Sequence, residues 1–118
     1  MIPYKNRFHG HNSLDYIYRK GQTTRSRLLN IKSVPNKTRQ NSRIAVVISK
    51  KVAKSAVKRN LVRRRIYNYI QQKINIFDGI RDVVITVTSV ELLSMNHKEL
   101  TDLMDQLFDQ MGIFSKKQ

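Results

Sequence analysis

Between Lys50 and Lys73 the chain carries nine basic residues and no acidic one, while Val62, Ile66, Tyr69 and Ile70 recur at i, i+4, i+7 and i+8. That spacing puts the four apolar side chains on one stripe of a helix, predicted from about Lys54 to Ile74, and the stripe has to be buried against something. Asn60, Arg63, Arg64 and Tyr67 follow i, i+3, i+4 and i+7, with Arg59 one turn before Arg63, so they share a different face. The fold must therefore hold a helix with one side in the core and a strongly cationic side turned away from it.

The sequence around this helix supplies the core. Asn12 and Ser13 are candidate caps for a short helix with Leu14, Ile17 and Tyr18 at i, i+3 and i+4, stopped by Gly21. Arg27 to Val34 is a β-favouring run closed by Pro35, and residues 36–42 form a polar loop before Arg43 to Ser49; the two runs are expected to pair antiparallel. Ile44 to Ile48 is apolar at five consecutive positions, which predicts a strand in the middle of the sheet. After an Asp78-Gly79 turn, Asp82 to Thr88 alternates as a further strand. The final helix is the most clearly marked: Asn96 with Glu99 three residues on suits a capping box. Leu100, Leu103, Met104, Leu107, Phe108 and Met111 form its stripe, and Gly112 provides the stop. The order is helix, two or three strands, long basic helix, strand, helix, an α+β class with helices packed on one central, mostly antiparallel sheet.

With 118 residues and no internal repeat, residues 1–118 are read as one domain, since domains of about 100–150 residues are the usual size. The chain has no cysteine, which excludes disulfides, thiolate zinc sites and a cysteine nucleophile. No apolar run approaches the roughly 18–20 residues of a membrane span, and Met1-Ile2-Pro3-Tyr4-Lys5-Asn6 lacks a secretory apolar core. A cytoplasmic protein is expected.

The formal net charge is +15, and it is unevenly spread: residues up to Lys73 carry 19 basic side chains and one acid, Asp15, whereas those from Ile74 onward carry 4 basic and 7 acidic. A solvated helix face normally mixes signs to gain i, i+4 pairs, so the acid-free stretch is left self-repelling until a polyanion neutralises it. Arginines favour phosphate through their planar fork, and Asn60 and Tyr67 add hydrogen bonding and stacking, which points to nucleic acid. A membrane surface would require a wide exposed apolar face, and a DNA regulator would require a dimer interface besides its recognition helix. The apolar stripe here is narrow and needed by the sheet, and the final helix's single stripe is required by the core, so nucleic acid is the expected partner, with no membrane and no DNA regulator.

The stretch Ser49-Lys50-Lys51-Val52-Ala53-Lys54-Ser55-Ala56-Val57-Lys58-Arg59-Asn60-Leu61-Val62-Arg63-Arg64-Arg65-Ile66 resembles the signature of the bacterial ribonuclease P protein family. In that signature a strand ends in Ser-Lys-Lys and leads to an Arg-Asn-Arg box with further arginines. Leu61 stands where the box has its second arginine. Arg7-Phe8, Leu14 to Gly21 and Val34-Pro35-Asn36 look like the family's opening, so the resemblance covers residues 7 to 67. It implies the order α-β-β-β-α-β-α and a protein subunit of a ribonucleoprotein endoribonuclease that matures the 5′ end of transfer RNA. The partners implied are the ribonuclease P catalytic RNA and precursor tRNA. RNA-binding positions would be Lys50, Lys51, Lys54, Lys58, Arg59, Asn60, Arg63, Arg64, Arg65 and Tyr67. A cleft for the single-stranded 5′ leader would be lined by Leu14, Tyr18 and Lys32. Catalysis would lie with Mg²⁺ held by the RNA, with no cofactor bound by the protein alone.

The residues agree with an absence of protein-borne chemistry. His9 and His11 have no cysteine or acid nearby to complete a metal site, Asp15 is the lone acid before Ile74, and Asp102, Asp105 and Asp109 read as a solvated helix face. A non-enzymatic RNA-binding or ribosomal-type protein of similar build is the competing expectation, and the ordered Ser-Lys-Lys to Arg-Asn segment separates the two.

Overall fold

The structure, a computed structural model, describes residues 17, 19, 21–36, 41–77 and 79–114. Four strands form one sheet: β1 (Gln22–Arg25), β2 (Leu29–Pro35), β3 (Arg43–Ile48) and β4 (Arg81–Val87). Two helices accompany them, α1 (Ala56–Lys73) and α2 (His97–Met111), with short 3-10 segments at Ile74–Ile76 and Val90–Ser94. Of the expected first helix, Ile17 and Arg19 are helical; Leu14 and Tyr18 lie outside the described residues, as do His9 and His11.

The spatial order is β1-β2-β4-β3, with β1–β2 and β2–β4 antiparallel and β3–β4 parallel. Two expectations are corrected here. β3 sits at an edge of the sheet rather than in its middle, and it does not pair with β2, because β4 lies between them. Five consecutive apolar residues report that both faces of a strand are covered, and they say nothing about its lateral neighbours. Ile44, Val46 and Ile48 face the large core, while Ala45 and Val47 face a smaller cluster on the opposite side.

β1 is the third strand before the basic helix in the order α-β-β-β-α-β-α, and the sequence reading assigns it no residue range. It folds back on β2 through Ser26, Arg27 and Leu28, where the Ser26 hydroxyl donates to the Leu29 carbonyl at 2.7 Å and accepts from the Leu28 and Leu29 amides. Gly21 precedes it at a close approach: its amide donates to the Ile17 carbonyl at 2.7 Å, and a Cβ there would stand 2.6 Å from that oxygen. Only glycine enters the sheet from the first helix at this distance.

α1 and α2 share one face of the sheet. Val62, Ile66, Tyr69 and Ile70 from α1 and Leu100, Met104, Leu107, Phe108 and Met111 from α2 close over Leu29, Ile31, Ile44, Val83 and Ile85. Each fully buried aliphatic side chain in such a core stabilises the fold by about 1.5–3 kcal/mol. Phe108 anchors an aromatic group at the far end, 5.9 Å from both Tyr69 and Phe77 and 5.5 Å from Phe114 between ring centroids. On the opposite face Ile17 packs against Val34 and Val84, so apolar packing lies on both sides of the sheet. α2 begins and ends as expected: Asn96 and Glu99 form a reciprocal capping box, and Gly112 terminates the helix at φ 68°.

Candidate nucleic-acid interface

Strand β3 delivers the chain to α1 through a tight connection. The Val52 and Ala53 amides both donate to the Ser49 carbonyl, Ala53 is buried, and Ser55 caps α1 by accepting from the Lys58 amide at 3.3 Å. Arg59 completes the connection. Its Nη1 donates to the carbonyl oxygens of Ala53 at 2.7 Å and Lys54 at 2.9 Å, folding the guanidinium back over the turn. Lys50, Lys51 and Lys54 are thereby presented from a braced segment, all three exposed.

Along α1 the predicted basic residues divide by what they touch. Lys58 and Arg64 are exposed, and their side chains make no hydrogen bond or ion pair with a described residue. Arg63 is half-buried and donates to the exposed Asn60 amide oxygen at 2.8 Å, which holds the pair in one orientation. Arg65 is also half-buried, and its Nη2 donates to the Met95 carbonyl at 2.7 Å, tying the helix to the segment that leads into α2. No acidic side chain pairs with the cations from Lys54 through Arg65 among the described residues, and the nearest ion pair on α1 is Lys73 with Asp105 at 3.8 Å. With no acid in its first turn, the helix also presents its positive end toward the lysine-bearing connection.

Tyr67 is a correction. It is 8% exposed and belongs to the large core, so it does not share an outward face with Asn60, Arg63 and Arg64. The fully outward line of α1 is rotated from the predicted one and runs through Val57, Leu61, Arg64 and Asn68. Among the α2 acids Asp102 and Asp109 are exposed as expected, Asp102 beside the exposed Lys98 at 2.8 Å, whereas Asp105 is half-buried and accepts from the Tyr69 hydroxyl.

Lys32 lies on the other side of the sheet. It alternates with Ile31 and Ser33 on β2, stands opposite Thr23 and Val84, and shares the face on which Ile17 packs. Arg25, Asn30 and Thr86 line the same face by register, giving a polar strip beside a small apolar cluster. Arg25 and Asn30 escape the sequence reading because it gives β1 no residue range and hence no register against β2, and the Ser26 turn is the available signal. The cationic helix and this strip are thus two separate surfaces, joined through the sheet.

Among the described residues no group of three or more His, Asp or Glu side chains could hold a metal ion, and no helix is long and apolar enough to cross a membrane.

Comparison with known proteins adds findings of three kinds. The family model described as Ribonuclease P matches residues 2–112. The ribonuclease P protein component of Pseudanabaena sp. (strain PCC 6903) is 34% identical over 86% of this chain and 87% of its own length. That of Prochlorococcus marinus (strain AS9601) is 34% identical over 63% of this chain and 69% of its own length. In three dimensions the chain is similar to the RNase P protein of Staphylococcus aureus, with a TM-score of 0.83 at 19% identity over 93% of this chain and 98% of that one. It is also similar to the RNase P protein of Thermotoga maritima, with a TM-score of 0.73 at 16% identity over 86% and 94%.

Proposed function

The chain belongs to the ribonuclease P protein family, a protein component of ribonuclease P, and from that premise we propose how it takes part: α1 and the connection before it bind the catalytic RNA, and the opposite sheet face receives the 5′ leader of precursor tRNA. The observation that carries the first half is the set of exposed cations Lys50, Lys51, Lys54, Lys58 and Arg64, without a partner among the described residues, on a braced turn and a helix without acids. Each phosphate they neutralise releases condensed counterions, so binding is favourable and falls steeply with salt.

Under this reading residues 1–118 act as one RNA-binding unit in the cytoplasm. Arg63 and Asn60 add a pre-formed hydrogen-bonding pair, while Arg59 and Arg65 contribute charge from clamped positions. The leader runs along the strip of Lys32, Arg25 and Asn30 and is also contacted by Leu14 and Tyr18, the mix of cation and aromatic that a sequence-tolerant single-strand groove uses. Hydrolysis belongs to Mg²⁺ held by the RNA. The protein's part is charge neutralisation and positioning of the substrate, both sensitive to salt.

The test is 5′-leader cleavage of a precursor tRNA by a bacterial ribonuclease P RNA at low Mg²⁺, with and without the protein. Stimulation by wild type that Lys58→Ala/Arg64→Ala loses supports the reading. Tight, salt-dependent binding without stimulation would instead favour a structural RNA-binding role.

A further inference from the structure

Val57 and Leu61 are 77% and 54% exposed, the former more than any other large apolar side chain among the described residues. They stand one turn apart on the side of α1 away from the buried stripe of Val62, Ile66, Tyr69 and Ile70, so the fold does not use them. Exposed β-branched valine even lowers helix propensity slightly. Lys58 and Arg64 flank them on α1 and Lys54 stands just before the helix, all three exposed and with no partner among the described residues. An apolar rib thus runs through the middle of the cationic surface.

We propose that Val57 and Leu61 form a seat for one unstacked nucleobase of the bound RNA, with Lys54, Lys58 and Arg64 on the phosphates around it. The charge around the rib selects the occupant. A second copy of this chain would bring the same cations against these, which a net charge of +15 opposes. An A-form duplex offers phosphates and 2′-hydroxyls across its shallow groove and leaves the apolar pair in contact with polar atoms. A base splayed out of a loop or bulge presents an apolar face of the right size. The seat rests on the RNA-binding reading of α1 and adds to it a term that salt does not screen.

That difference is the test. Binding of a transcribed bacterial ribonuclease P RNA is measured across a salt series for wild type, Val57→Ser/Leu61→Asn and Arg64→Ala. The expected result is a loss of about fivefold for Val57→Ser/Leu61→Asn at every salt concentration with an unchanged slope, because apolar burial releases no counterions. Arg64→Ala should reduce the slope by about one. Benzoylphenylalanine at position 61 should photo-crosslink to a single nucleotide in an unpaired region of the RNA. Wild-type affinity in the Val57→Ser/Leu61→Asn protein at every salt, or a crosslink confined to duplex, overturns the seat. Sedimentation showing a wild-type dimer that the double variant abolishes would assign the rib to a second copy. Failure of wild type to bind the RNA at all would instead remove the RNA-binding reading itself.

Discussion

Arg43 and Asp82 meet as a two-point ion pair across the parallel β3–β4 ladder, Nε to Oδ1 at 3.0 Å and Nη2 to Oδ2 at 2.7 Å, with both side chains nearly buried. They are register partners, and Asn36 adds a third bond to the same carboxylate at 2.8 Å. The pair fixes the start of an edge strand that has one neighbour. Asp82→Ala leaves the guanidinium buried without its carboxylate and should cost about 3–5 kcal/mol in urea unfolding. Arg43→Met/Asp82→Leu, which removes both charges, should recover most of that loss; equal destabilisation by the single and double variants would mean that the pair contributes through packing alone.

The Tyr69 hydroxyl donates to the Asp105 carboxylate and joins α1 to α2 where Lys73 also reaches Asp105. Burial first, then the hydrogen bond to Asp105, raises the Tyr69 phenol well above its ordinary value of 10.0. Up to about pH 10 both folded and unfolded chains keep this proton, and its contribution to stability is intact. At higher pH the unfolded chain releases the proton while the folded chain retains it, so stability falls as pH rises. Tyr69→Phe should lose about 1 kcal/mol near neutrality through the missing hydrogen bond. Its stability should then decline less than wild type between about pH 9 and 11, and parallel alkaline curves for the two proteins would refute the assignment.

The Ser33 hydroxyl is buried on the core side of β2 and has no hydrogen-bond partner among the described residues. A buried hydroxyl left unpaired costs about 1–3 kcal/mol, and its removal leaves only a small void. Ser33→Ala should therefore raise the urea midpoint or leave it unchanged, whereas a loss above about 1 kcal/mol would reveal a partner for that oxygen.

Helix positions were legible because their signals are local. Asn96, Glu99 and Gly112 specify the ends of α2 by side-chain and backbone chemistry within one turn, and both α1 and α2 bury the stripes that their spacing predicts. The sheet order was not legible, since the placement of β4 between β2 and β3 depends on contacts between residues 39 to 58 positions apart. Tyr67 shows the same limit at the interface. Helical spacing groups it with Asn60 and Arg63, but how far the core wraps around α1 is decided by neighbouring elements, and the wrap encloses the phenol. Spacing likewise located the α1 arginines without revealing that Arg59 is clamped by carbonyls of the preceding turn.

Arg64 and Arg65 are adjacent in sequence and equal in charge, yet the structure gives them different work. Arg64 is exposed with no partner among the described residues, while Arg65 donates to the Met95 carbonyl at 2.7 Å. Arg64→Ala should leave thermal stability unchanged and reduce the salt slope of RNA binding by about one, the signature of a single lost phosphate contact. Arg65→Ala removes a charged donor from a half-buried carbonyl and should cost about 1–2 kcal/mol of folding stability, with a smaller change in slope. Arg65→Lys keeps the charge without the planar fork, so it should restore the slope more fully than the stability. If Arg65→Ala instead matched Arg64→Ala in both measurements, the Met95 contact would be given up on binding and Arg65 would act as a second phosphate ligand.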